Sequence, residues 1–479
     1  MDFGVVSRVL ALLLAVEAGA MVPPLALSAY RGEGDMAAFL FSIALTLLMA
    51  AAVYALSPKE GSIRYREGFM IVGIGWILIS IFGALPFVLY GTFNSFVDGF
   101  FEAASGFSTT GATVLQNIEG QPHGILLWRA MTHWLGGMGI LVLVLALLPA
   151  LGVGGFQIFK TESPGPMPGK LVARVGATAR ILYTTYLLFT LVQIFALKWV
   201  GMSWFDSITH TFATMGTGGF STKSASVGAF QNAGAEWLIS GFMLLASVNF
   251  SLYYGLIKMG WRTLVKDSEL KLFVAIVALS TLVVTVDVRH LFDSAWEALR
   301  TAAFQVASII STTGFATADY QNWPGLSQGI IFSLIFIGAC AGSTGGGIKV
   351  IRVAVLFKYM KRSLYKLIHP QAVIPLRVAG SPIPEETVHS ILGFLVMYIG
   401  VFAVVTLVLL TQGLDLVTSS SAAATSLSNV GPGFGMVGPA FTYTDLTALS
   451  KLVLAFAMIL GRLELHTMLV MLVPAFWRE

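Results

Sequence analysis

The sequence predicts an all-α membrane protein with two leading transmembrane helices, then four helix–pore-loop–helix repeats around a central pore. Three observations carry that prediction. The 479 residues are 56% hydrophobic and only 11% charged, with a mean hydropathy of +0.82, whereas a soluble globular chain carries about 25% charged residues. Apolar stretches of roughly 20 residues, long enough to cross a bilayer, recur along the whole chain. Between them lie four short segments with one shared pattern: Ser108-Thr109-Thr110-Gly111-Ala112-Thr113, Thr217-Gly218-Gly219-Phe220-Ser221-Thr222, Thr312-Thr313-Gly314-Phe315-Ala316-Thr317 and Asn429-Val430-Gly431-Pro432-Gly433-Phe434. Their central glycines stand 108, 95 and 117 residues apart.

About ten spans are expected, near 5–28, 37–57, 69–91, 124–151, 178–200, 236–258, 270–287, 327–357, 387–411 and 446–473. The first contains Glu17 and Pro23-Pro24 and exceeds the 7–15 residues of a signal-peptide core, so it is read as a retained span. The chain divides into a two-helix extension (1–57) and four pore repeats, 58–159, 160–262, 263–369 and 370–479, with a broken second helix in the third. Basic residues collect in alternate loops: Lys59, Arg64 and Arg66; Lys160, Lys170, Arg174 and Arg180; Lys258, Arg262, Lys266 and Lys271; and seven more from Lys349 to Arg377. The opposite loops carry Arg31, Lys223, Arg289 and Arg300. The positive-inside rule then places both termini in the cytoplasm and turns all four glycine loops outward.

Ahead of each glycine lies a segment too short to cross, at about 96–107, 204–214, 294–309 and 416–427, suited to a re-entrant helix. Asp98 and Asp206, each thirteen residues before its glycine, are the expected N-caps of the first two. Such helices would turn their partly negative C-terminal ends toward a common centre and favour a cation there. Outer-loop acids, among them Glu102, Glu119, Glu236 and Asp445, make either a cation-concentrating vestibule or ordinary solvated charge. Non-helical backbone at membrane depth is tolerated where it lines a watery cavity, and carbonyls aimed at one axis require angles that glycine permits. The candidate selectivity filter is therefore Thr109, Thr110 and Gly111; Thr217, Gly218 and Gly219; Thr312, Thr313 and Gly314; and Asn429, Val430 and Gly431. A dehydrated ion would sit at the carbonyls of these residues.

Two further positions fall inside the spans. Gly342-Ser343-Thr344-Gly345-Gly346-Gly347 interrupts the eighth span, because successive glycines disfavour helix. It is read as a flexible loop under the filter, against the alternative of a kink that relieves packing. It is not a phosphate-binding loop, since Ile348 separates Gly347 from Lys349 and Val350 follows. Arg462, near the middle of the last span, must face a cavity or a partner; Glu464, two residues on, cannot share its helical face. His133 and His466 lack metal-ligand companions and read as satisfied core or interface histidines. Cys340 is the single cysteine, which excludes an intrachain disulfide. No Ser–His pair, paired membrane aspartates or His-x-x-x-His site favours an intramembrane enzyme, and no cofactor or nucleic-acid motif is present.

These motifs, with Met21-Val22-Pro23-Pro24, Lys160-Thr161-Glu162-Ser163-Pro164-Gly165-Pro166, Gly342 through Lys349 and Gly461-Arg462-Leu463-Glu464, resemble the Trk/Ktr/HKT superfamily of potassium transporters, most closely its bacterial TrkH branch. The resemblance implies potassium uptake across the bacterial inner membrane, with Gly111, Gly219, Gly314 and Gly431 as filter glycines. It also implies an intramembrane gate at 342–347 and a pore barrier at Arg462. As partners it implies a homodimer, each protomer with its own pore, and a cytosolic nucleotide-binding ring of the TrkA type docked on the basic face, which also meets lipid headgroups. A sodium-coupled or sodium-permeable symporter of the Ktr kind is the alternative; the two leading spans favour the Trk branch.

Overall fold

A computed structural model describes residues 2–57, 65–139, 175–378 and 381–478. The leading helices are α1 (Phe3–Ala20), α2 (Val22–Arg31) and α3 (Met36–Leu56). Pro23 and Pro24 cannot donate to a preceding turn, so the chain breaks at Met21 and the prolines enter the first turn of α2. The succession of long helix, short helix and returning helix then occurs four times. It comprises α4 (Tyr65–Gly83), α5 (Leu85–Tyr90), α6 (Phe96–Phe107) and α7 (His123–Gly137); then α8 (Val175–Trp199), α9 (Trp204–Met215), α10 (Ala233–Ala246) and α11 (Phe250–Met259). After the linker helix α12 (Arg262–Lys266) come α13 (Ser268–Val288), α14 (Ala295–Ile310), α15 (Gly325–Ile337) and α16 (Val350–Ile368). Last are α17 (Glu385–Thr411), α18 (Leu416–Ser428), α19 (Ala448–Arg462), α20 (His466–Leu469) and α21 (Pro474–Trp477). A two-residue antiparallel pair, β1 (Arg377–Val378) with β2 (Ser381–Pro382), precedes α17.

Six stretches among the described residues are long and apolar enough to cross a membrane: Phe3–Arg31 and Arg66–Tyr90, each made of two successive helices, and Met36–Leu56, Ile181–Trp199, Ser268–Leu291 and Glu385–Thr411. Other expected spans are broken. The one at 236–258 bends by 86° between α10 and α11, and the one at 446–473 by 110° between α19 and α20. Glu464 and Leu465, with φ of 58° and 50°, make the second bend. The span at 327–357 is α15, a loop and α16. A hydropathy window passes over such bends because apolar composition continues through them. The end of the expected span at 124–151, the Lys160–Pro166 motif, and Lys59, Arg64, Lys160, Lys170 and Arg174 lie outside the described residues.

The four short helices α6, α9, α14 and α18 are enclosed by the long ones. Their caps differ from expectation. Ser95 accepts a hydrogen bond from the Val97 N–H, Ser203 from Asp206, Ser294 from Glu297 and Asp415 from Thr418. Asp98 and Asp206 therefore stand at the third helical position, not at the cap. Ser95-Phe96-Val97-Asp98, Ser203-Trp204-Phe205-Asp206 and Ser294-Ala295-Trp296-Glu297 are Ser-x-x-acid capping boxes, a signal legible in the sequence. In α18, Ser and Ala replace the larger apolar residues, and its buried Thr425 hydroxyl donates back to the Ser421 carbonyl at 3.0 Å. Small side chains let this helix be buried from Ser421 to Ser428 with its backbone close to neighbours.

Candidate functional site

Each short helix ends in the same backbone turn. The N–H groups of Thr110, Gly218, Thr313 and Val430 donate to the carbonyls of Ser105, Ala213, Ser308 and Thr425 at 2.8–2.9 Å, a six-residue closure that satisfies the helix end. The residue before each donor is left-handed: Thr109, Thr217, Thr312 and Asn429 have φ of 57°, 55°, 59° and 55°. A β-branched threonine there is strained, at a cost of about 1–3 kcal/mol. Two residues on, Gly111, Gly219, Gly314 and Gly431 have φ of 80°, 79°, 82° and 90°. Four segments with unlike side chains thus share one conformation.

The four glycines also close a ring. A Cβ at Gly111 would collide with the Gly218 carbonyl oxygen, one at Gly219 with that of Thr313, one at Gly314 with that of Val430, and one at Gly431 with that of Thr110. Each glycine therefore abuts the residue preceding the next glycine, in chain order and back to the start. No side chain fits at any of the four places. The twelve candidate filter residues are brought together here, although the Gly431 carbonyl already accepts from the Tyr443 hydroxyl at 2.6 Å.

Around this ring the repeats differ. The Thr110 hydroxyl pairs with Ser108 and that of Thr313 with Ser311, both at 2.7 Å. Asn429 Nδ2 donates to Thr110 Oγ1 at 3.0 Å and to the Met458 carbonyl at 2.8 Å, stitching the fourth segment to the first. The second segment has Gly216 and Gly218 at the Ser and Thr positions, and the fully buried His133 ring of α7 stands against it. Neither His133 nitrogen has a hydrogen-bond partner among the described residues, so the expectation of a satisfied histidine is corrected.

Outside the ring, a cavity is lined by the four glycines together with Arg129 and Lys223, and by no carboxylate among the described residues. Several of the acids counted toward a vestibule are engaged with other groups. Buried Glu102 accepts from Arg129 Nε at 2.6 Å, from the Thr113 hydroxyl and from the Val114 N–H. Asp98 meets Lys451 at 2.7 Å and Glu236 meets Arg300 at 2.9 Å. Arg129 also donates to the Ser221 carbonyl at 2.9 Å and lies over the Phe220 ring. One buried ion pair thereby ties together the chain leaving the first glycine and the chain leaving the second. Glu119, in the loop between α6 and α7, loses some solvation, but hydrogen bonds from Ser224 outweigh that and hold its carboxyl below the ordinary value.

On the opposite side of the ring lies a cavity of about 90 Å³, lined by Gly342, Ser343, Gly345 to Gly347, Lys349, Gly461, Arg462 and Glu464, among others. The glycine loop is packed rather than loose. Gly346 donates to Thr312 Oγ1 at 2.7 Å, Thr344 reaches the Ala246 carbonyl, and Lys349 Nζ donates to the Gly345 carbonyl. One Glu269 oxygen accepts from Ala341 at 2.8 Å and Ile351 at 3.1 Å, clasping both flanks of the loop. Arg462 is not mid-helix but at the C-terminal end of α19, where a cation suits the helix dipole. It donates to the carbonyls of Thr344 at 2.7 Å, Gly136 at 2.6 Å and Gly137 at 2.9 Å. Glu464 pairs instead with Arg352.

Residues 34–478 match the family model described as "TrkH: Cation transport protein". The chain is 37% identical over 488 residues to the Trk system potassium uptake protein TrkH of Halomonas elongata, and 38% identical over 491 residues to that of Escherichia coli K12, each alignment covering both chains completely. Its fold is similar to the crystal structure of the potassium transporter TrkH from Vibrio parahaemolyticus, with a TM-score of 0.90, 35% identity and complete coverage of both chains.

Proposed function

The chain belongs to the TrkH family of cation transport proteins, and on that premise we propose that it takes up potassium through the glycine ring by channel-like permeation. The closed ring, in which each glycine abuts a carbonyl of the next segment, is the observation that carries this reading. Carbonyl oxygens brought that close can replace the hydration shell of a potassium ion. The short helices add their partly negative C-terminal ends at the same place. Inward movement of one charge across 100 mV releases about 2.3 kcal/mol, enough to drive accumulation without a covalent energy source.

Thr109 to Gly111, Thr217 to Gly219, Thr312 to Gly314 and Asn429 to Gly431 form the filter in this reading. Loop 342–347 and Arg462 form the closure beneath it. Support comes from their position across the inner cavity and from the hydrogen bonds that hold the loop to Thr312 and Arg462 to Thr344. A nucleotide-binding partner ring would act from the basic side, where α16 exposes Lys358 and Lys361, and two copies of the chain would each keep their own pore. The test is rescue of a bacterium deficient in potassium uptake, comparing the parent protein with Gly→Ser variants at 111, 219, 314 and 431. Loss of growth at low potassium, or altered ion preference, is expected for each; four variants that match the parent would overturn the filter.

A further inference from the structure

The second filter segment lacks the hydroxyl pair that braces the first and third, and unlike the fourth, with Ser428 and Val430, it has no side chain at either position. Where the first and third have Ser108 with Thr110 and Ser311 with Thr313, hydroxyl to hydroxyl at 2.7 Å, the second has Gly216 and Gly218. Both glycines are filled from outside by one residue. A Cβ on Gly218 would fall on the His133 ring, nearest to Nδ1, Cε1 and Cγ, and a Cβ on Gly216 would strike the His133 carbonyl. The ring lies 4.0 Å, centroid to centroid, from Phe220 on the far side of Gly219. The Arg129 guanidinium, one turn earlier on α7, covers Phe220 in turn. His133 is the eleventh residue of its returning helix. The eleventh residues of α10, α15 and α19 are Met243, Ile335 and Met458, all apolar and buried. Only the first returning helix places a planar polar ring at this level, and only the adjoining segment has given up its own side chains.

We propose that His133 is the positioning residue of the second filter segment. It supplies from α7 the volume that Thr110 and Thr313 supply within their own repeats, and so sets the discrimination between potassium and smaller alkali cations. The proposal rests on the filter reading given above. The imidazole does not touch the ion; it fixes how far the Gly218 carbonyl stands from Gly111.

The test is ion flux into vesicles containing the full-length protein, measured as the ratio of potassium to sodium uptake. His133→Ala should lower that ratio by roughly tenfold while potassium flux itself persists. His133→Asn, which keeps atoms near Cγ and Nδ1, should fall between Ala and the parent. Gly218→Ser alone should abolish flux, and combining it with His133→Ala should restore both flux and preference, because the new side chain occupies the vacated space. A parent-like ratio in His133→Ala, or a double variant no better than Gly218→Ser, overturns the proposal. Should His133→Ala fail to fold, the double variant decides: folded and selective supports the assignment, anything else overturns it. Gly219→Ser serves as reference. If it leaves the ratio unchanged, the filter reading falls and this assignment with it; if it shifts the ratio while the His133 variants do not, only the role of His133 is lost.

Discussion

The Gly346 N–H donates to the Thr312 hydroxyl at 2.7 Å, joining the loop beneath the ring to the strained residue that shapes the ring's third segment. Both groups are buried. Removing the acceptor would leave a buried N–H unmatched, at about 1–3 kcal/mol. Thr312→Val keeps the β-branched shape and replaces only the hydroxyl with a methyl group. It should destabilise the packed position of the loop and raise rubidium uptake into vesicles severalfold; flux equal to the parent's would mean that the loop does not limit conduction.

Arg462 separates two ways of slowing an ion. As a charge it would repel a cation entering the cavity; as a fork it ties Thr344 to Gly136 and Gly137. Arg462→Gln removes the charge and should speed conduction in single-channel recordings. Arg462→Lys retains the charge but not the planar fork. A slow lysine variant identifies the charge as the barrier, and a fast one identifies the tie to the loop.

Glu102 and Arg129 are buried together behind the first two glycines. Breaking such a pair from one side costs about 3–5 kcal/mol, because the remaining charge is stranded. Glu102→Gln and Arg129→Met should each lower the melting temperature in detergent markedly. The double variant should lose less than the sum of the two. Additive losses would show that the pair is not coupled.

The caps of the short helices give a pH signature. Thr418, through its side chain and its backbone N–H, holds the Asp415 carboxyl below the ordinary value. The charged form is thus favoured in the folded protein. Its contribution is complete above the unfolded value, near about pH 4, and is lost as pH falls through the lower folded value. Asp415→Asn should flatten that part of the stability curve in acid titrations. Ser294→Ala, which removes an uncharged cap, should cost about 1 kcal/mol at every pH.

Much of this was legible in the chain. Apolar runs, short intervening helices and a glycine after each follow from local chemistry, and the four short helices lie within two residues of where composition puts them. The Ser-x-x-acid boxes are equally legible, and in them the serine takes the cap while the acid falls at the third helical position. Which outer-loop acids are free to face a vestibule is hidden from the sequence for a physical reason. A carboxylate counted in an outer loop looks solvated until its partner is known, and the partner of Asp98 is Lys451, 353 positions away.

Sequence alone determined that this is a four-repeat membrane protein with a glycine at the turn of each repeat, because hydrophobic length, glycine's backbone freedom and helix capping act over a few neighbouring residues. Tertiary structure alone decided that the glycines close a ring in chain order, that two apolar stretches bend sharply, and that His133 occupies the space beside Gly216 and Gly218. Those outcomes depend on steric fit between segments roughly a hundred residues apart, and no local pattern encodes which surfaces meet.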